Sequence, residues 1–196
     1  MTSAKHTNAW MQTFTGKVFE PMNPQPEQVD ILDIAHGLSH ICRFSGQCSE
    51  FYSVSQHSVM ASHVITLIDG FLLLSAEDRA RMQLVALLHD ASEAYIVDVP
   101  TPIKRHLGGY KEIEAGVMRA VARKFDLDIA VFDHPLIHEA DAVMLATEKR
   151  DLMGPEPQPW IDLPKPYGGR IFPTEPKKAK QSFLERFKEL GGATAP

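Results

Sequence analysis

Two cysteines, Cys42 and Cys48, are the whole thiol complement of the chain. They are too few for a zinc knuckle or a disulfide framework. Their spacing leaves one disulfide open in an oxidising compartment, and an inert pair of thiols is the expectation. Basic runs are missing as well. Lysine and arginine are scattered, in doublets such as Lys149-Arg150 and Lys177-Lys178, and the net charge is −5 with the histidines neutral. Nothing electrostatic therefore draws the chain to a nucleic-acid duplex. No hydrophobic run reaches the length of a membrane span, and the segment MTSAKHTNAW carries no apolar signal region. No membrane partner is expected, and cytoplasm is the default compartment. What is present is ordinary globular material, 44% hydrophobic over 196 residues, enough for one domain with a substantial core.

Most of that material has helical periodicity. Residues 1 to about 28 are polar and dotted with Pro21, Pro24 and Pro26, which rules out a helix, and Phe14 to Phe19 fits a small β-hairpin around Gly16. From Val29 to Phe44, Ile31, Ile34, Ala35, Leu38, Ile41 and Cys42 fall on one stripe, with His36, His40 and Arg43 together on the other side. That histidine pair reads either as a polar helix face or as metal ligands lacking a carboxylate in the same segment. Ser53-Val-Ser-Gln56 is a capping-box pattern that starts a helix running through Ile68 and carrying His57 in its first turns; Ser75-Ala-Glu-Asp78 starts the next. Gly108-Gly109 precedes an amphipathic helix from Tyr110 to Phe125, and Asp133, as N-cap before Pro135, opens another that runs to Met153. The Pro- and Gly-rich segment 154–176 has Trp160, Tyr167 and Phe172 as expected anchors against the body. A last helix from Pro176 to Leu190 turns Phe183, Phe187 and Leu190 inward, ahead of a loose tail GGATAP. The expectation is an all-α fold with a short N-terminal hairpin.

The informative stretch is QLVALLHDASEAYIVDVPTPIK, Gln83 to Lys104. Leu84 to Leu88 is apolar all round, as in a buried helix, yet it leads directly into His89-Asp90 and then Glu93. Buried ionisable groups are costly unless paired, hydrogen-bonded or bound to a metal. Helical spacing crowds those three onto one side, and Asp98 follows on a loop stiffened by Pro100 and Pro102. Farther on, Asp141 interrupts the apolar stripe formed by Ile137, Ala140, Met144 and Leu145, and Glu148 lies on it two turns later. Asp141 reads as a buried salt bridge or a functional carboxylate, and Glu148 as a structural or supporting partner. Collected, His57, His89, Asp90 and Asp141 are a reasonable ligand set for one divalent cation, with Glu93 and Asp98 near enough for proton transfer. Spacing alone carries the argument as far as a metal-assisted hydrolase.

An apolar helix ending in His-Asp, an upstream His and a distant downstream Asp resemble the H…HD…D signature of the HD-domain phosphohydrolases. HDASEAYIVDVPTPIK and LSHICRFSG…YSVSQHSV resemble the small nucleotidase branch, which includes bacterial 5′-deoxynucleotidases and, more closely, phage dATP triphosphohydrolases. The resemblance covers about residues 14 to 153. It implies a single HD-domain helical bundle over residues 1–196, with a core of about 29–153. It implies His57, His89, Asp90 and Asp141 as ligands of one divalent ion (Co, Mn, Ni, Fe, Zn or Mg), Glu93 beside the attacking water, and Asp98 as the second catalytic carboxylate. Arg43 and Lys104 fall where this branch contacts phosphate, and Phe44 stands where deoxynucleotidases have a tryptophan beside the sugar. The implied activity is hydrolysis of (deoxy)nucleotides at the α-phosphorus, giving nucleoside plus triphosphate or phosphate, in a homo-oligomer. Competing readings are a catalytically silent metal- or nucleotide-binding sensor on the same scaffold, and a cyclic-nucleotide or (p)ppGpp hydrolase.

Overall fold

Gly16, at φ 82°, turns the chain back on itself so that β1 (Met11–Gln12) pairs antiparallel with β2 (Val18–Phe19). The hairpin is pinned to the first helix by Thr15, whose backbone N–H and hydroxyl donate to the two oxygens of the buried Asp33 carboxylate at 2.7 and 2.8 Å. Phe19 then stacks on Tyr95, ring centroids 3.9 Å apart. The computed structural model describes residues 9–192, so the loose tail expected at 191–196 falls mostly outside the described residues.

Eight α-helical segments follow: α1 (Ile31–His40), α2 (Val54–Val64), α3 (Ala76–Leu88), α4 (Glu93–Ile96), α5 (Thr101–Lys104), α6 (Tyr110–Lys124), α7 (Pro135–Leu152) and α8 (Pro176–Glu189). The expected all-α fold with a short hairpin is what the described residues form, and no helix among them is long and apolar enough to cross a membrane. Side-chain oxygens start three of the longer helices: Asp30 accepts from the Leu32 amide, Ser53 from Gln56 and Ser75 from Asp78. Each satisfies an amide that the helix itself leaves without an acceptor.

Two apolar clusters form the core. The first gathers Ile34 and Leu38 of α1, Leu87 and Leu88 of α3, Val117 and Val121 of α6, and Phe183 and Phe187 of α8. The second gathers Ala61 and Val64 of α2, Val85 and Ala86 of α3, and Ile137, Ala140 and Met144 of α7. Helix α3 supplies both because its C-terminal half is buried on all sides, Val85 to Leu88 being at most 1% exposed. Helix α8 is fastened across α2 and α3 by Arg186, which donates to the Ser62 hydroxyl, the Ser62 carbonyl and Gln83.

Several boundaries differ from the periodicity, each for a local reason. Helix α1 stops at His40 because Ile41 and Cys42 are extended: Arg43 N–H donates to the Tyr52 carbonyl and Val54 N–H to that of Ile41, a bridge that pairs Cys42 with Ser53. Arg43 is therefore off the face shared by His36 and His40, whose rings pack on each other, His36 also stacking on Phe14. Helix α2 ends at Val64 and tightens into a 3₁₀ turn, Ile65–Leu67. The N-cap of α7 is His134, not Asp133: the residue before Pro135 is held extended, and its Nδ1 accepts from Leu136 N–H. Thr101–Lys104 coils into one helical turn within the loop expected around Pro100 and Pro102. In the segment 154–176, Phe172 is 73% exposed, and the buried anchor is its neighbour Ile171. Cys42 and Cys48 are both free thiols.

Candidate metal centre and cleft

The end of α3 brings His89 and Asp90 to the first turns of α2, where His57 is fully buried. The nearest ligand atoms of His57, His89 and Asp90 all lie within 4.8 Å of one another. Asp141, on α7, joins them with Oδ1 3.2 Å from His57 Nε2 and 3.8 Å from His89 Nε2. All four residues singled out as ligands thus converge, from three helices.

The hydrogen bonds behind the two imidazoles say what belongs between them. His89 Nδ1 donates to the Ala86 carbonyl at 2.8 Å, and His57 Nδ1 to Glu148 Oε1 at 2.6 Å. With the Nδ1 protons so placed, both Nε2 atoms turn bare lone pairs towards each other at 3.2 Å, with Asp90 Oδ2 3.6 Å from one and 3.3 Å from the other. Such a cluster calls for a positive charge at its centre. The titration of His57 agrees: burial and Arg43 push its pKa down, but Glu148 and the bond to Asp141 outweigh them and carry it up to about 9. A divalent ion would take the place of that proton, with Glu148 orienting the ligating ring from behind. The residues fit such an ion.

Glu148 is the buried exception the α7 stripe pointed to, and it has two partners. Besides His57, it accepts from Arg43 Nε at 3.1 Å, and Arg43 Nη2 pairs with the same oxygen at 3.1 Å. Burial opposes its charge, yet Arg43 and His57 hold its carboxyl below the usual range. Arg43 also reaches Asp90 Oδ2 at 3.4 Å. The guanidinium is aimed by an unusual backbone: Phe44 and Ser45 take φ of 55° and 52°, ahead of Gly46 at 79°, so the chain leaves the bridge to Ser53 in a tight left-handed turn.

Arg43, Asp90 and Asp141 line a cleft of about 510 Å³ together with Glu93, Asp98, Lys104 and Phe44. Seven of the nine residues expected at the site by sequence line this cleft; His57 is buried away from it, and His89 lines a neighbouring cavity with Asp141. Glu93 is 6% exposed, and its Oε2 has no hydrogen-bond partner. Burial, reinforced by Asp90 and Asp98, raises its pKa well above the ordinary range. Burial likewise raises Asp98, against the pull of Arg43. Asp98 is turned inward by Val97, a β-branched residue at φ 64°, ψ 157°, whose carbonyl accepts from Tyr110 Oη at 2.8 Å. That backbone conformation is costly and persists only where the surroundings enforce it. Lys104 Nζ donates to Glu114 Oε1 at 2.7 Å and faces the Tyr110 ring. Trp160, expected as an anchor against the body, lines the cleft as well; a tryptophan in a stretch without periodicity carries no signal of where it faces.

Fold and site together define an all-α protein with a partly buried His–Asp cluster, able to hold a metal ion, beside a cleft of mixed polar and apolar lining. The chain is 37% identical over 185 residues to the uncharacterized protein YfdR of Escherichia coli (strain K12), covering 93% of this chain and 96% of YfdR. It is 34% identical over 152 residues, 74% of each chain, to the uncharacterized protein RCAP_rcc00048 of Rhodobacter capsulatus. No protein-family model matches. The chain belongs to the family of YfdR.

Proposed function

We propose that this protein is an HD-domain phosphohydrolase that cleaves (deoxy)nucleotides at the α-phosphorus. The observation that supports it most is the unpartnered, buried Glu93 carboxylate beside the cluster of His57, His89, Asp90 and Asp141. A buried carboxylate without a partner is expensive, and such expense is characteristic of groups tuned for proton transfer. His57, His89, Asp90 and Asp141 would hold a divalent ion, which would supply a more acidic water and offset charge on the phosphate. Glu93 accepts a proton from the water as its oxygen attacks phosphorus. Arg43 and Lys104 direct N–H groups at the non-bridging oxygens as charge builds on them. The bond from phosphorus to the nucleoside oxygen breaks, and Asp98, whose raised pKa favours its protonated form, returns a proton to that oxygen. Phosphate leaves from a monophosphate, or triphosphate from a dNTP, by the same sequence of bonds.

The test is a product assay with cobalt or manganese and each dNMP, NMP, dNTP and NTP in turn, resolved by ion-exchange chromatography. Nucleoside with phosphate, or nucleoside with triphosphate, is the expected outcome. No turnover of any nucleotide, with metal shown to be bound, would overturn the proposal in favour of a silent sensor.

A further inference from the structure

The cleft has lining residues that the phosphate chemistry leaves unused. Phe44, Val99, Leu145 and Trp160 line it with apolar surface alongside Arg43 and Lys104. Trp160 is the unusual member. It follows a run, Gly154 to Pro159, that is exposed throughout, yet its own ring is partly covered. The ring is held from two sides: Phe44 meets it edge-on, centroids 6.3 Å apart at 62°, and Lys149 Nζ lies 5.9 Å from its centre. Lys149 also pairs with Glu156, tying the proline-rich segment to α7 just before the tryptophan. A loop tethered in this way holds one large flat side chain at the rim of an ionic cleft.

We infer that Trp160 is the base-stacking residue of this site, and that it makes the ligand a nucleoside phosphate rather than a bare or sugar phosphate. The inference rests on the hydrolase reading for the phosphate end of the ligand. An inorganic phosphate or a pentose phosphate would engage Arg43 and Lys104 and leave much of a cleft of about 510 Å³ unfilled. A planar, weakly polar body attached to the phosphate fills the rest, with Trp160 against its face and Phe44 turned edge-on to the tryptophan. Stacking does not read a hydrogen-bond pattern, because every base has a π-face. All bases should therefore bind, with purines ahead of pyrimidines through their larger overlap.

The experiment pairs kinetics with binding. Trp160→Ala should raise KM about tenfold for the best nucleotide substrate, the scale of one stacked base, with kcat nearly unchanged, as for an interaction equal in ground and transition states. Trp160→Phe should restore most of the affinity, and 2-deoxyribose 5-phosphate should not distinguish the variants. In a Trp10→Phe background, dAMP should quench the remaining tryptophan saturably, a signal that needs no turnover. Nucleotide hydrolysis with an unchanged KM in Trp160→Ala would overturn the stacking and leave the hydrolase reading intact. Saturable quenching without hydrolysis of any nucleotide would do the reverse. The absence of both quenching and a KM change would overturn the inference outright.

Discussion

Glu93 is held in a place where its charge is unwelcome, and this has a measurable consequence for folding. In the unfolded chain a glutamate ionises near about 4.3, whereas burial raises the folded value well above the ordinary range. Between the two, the folded state carries more protons than the unfolded one, so stability falls as pH rises through that window. Glu93→Gln removes the titration. In metal-free protein the variant is expected to melt higher than wild type at pH 8, with the gap closing towards pH 4. Its hydrolysis rate should fall by roughly 10²–10⁴-fold, the usual contribution of a general base. Circular-dichroism melts across pH check the first; a variant less stable than wild type at pH 8 would show that Glu93 is satisfied by something else. At this scale the site was largely legible. His89, Asp90, Glu93 and Asp141 stand out in the sequence as ionisable groups interrupting apolar runs, and the structure gathers them. Arg43 was not legible as a neighbour of Glu148. Periodicity kept it on the helix with His36 and His40, and only the extended pairing of Ile41 and Cys42 with the chain at Tyr52 to Val54 takes it off.

Helix α1 and the short α4 approach so closely that Gly37 has no room for a side chain. A Cβ there would lie 2.8 Å from the Ala94 carbonyl oxygen and 2.9 Å from its Cα. Both are backbone atoms, so relief requires α4 itself to shift, and α4 begins with Glu93. Gly37→Ala should therefore destabilise the fold by about 1–3 kcal/mol through overpacking, although alanine is the better helix former by about 1 kcal/mol. It should also slow hydrolysis more than its loss of stability explains. Thermal melts and kcat well below the melting temperature separate the two effects; a raised melting temperature would mean that helix propensity wins. Serine caps and breaks between helices announce themselves in the sequence, as at Ser53, Ser75 and Gly108-Gly109, because they rest on local hydrogen bonds and backbone freedom. A close crossing of two elements far apart in the chain leaves no such mark, nor does the loop that brings Trp160 to the cleft.

Across the molecule, α3 joins the two apolar clusters and ends at the His–Asp cluster, while α8 covers the first cluster from outside. Phe187 is 1% exposed and meets Phe125 edge-on at 5.2 Å. Phe187→Ala should cost about 3–5 kcal/mol, the range for a buried aromatic cut to alanine. Because α3 belongs to both clusters, the loss should appear as one cooperative transition at lower temperature. Two resolved transitions in calorimetry would mean that the clusters unfold separately. The first cluster was foreseeable from the α8 stripe, whose Phe183 and Phe187 are buried as expected; Leu190 is only partly covered, since the helix ends at Glu189.

Arg43 joins Glu148, which supports His57, to Asp90. An anion entering the cleft competes with both carboxylates for the same guanidinium, and a cation at the cluster competes with that guanidinium for Asp90. The two ligands are therefore linked through one shared side chain, and linkage is reciprocal: the factor by which the cation alters anion affinity equals the factor by which the anion alters cation affinity. An affinity for either, given without the concentration of the other, describes only half of that equilibrium.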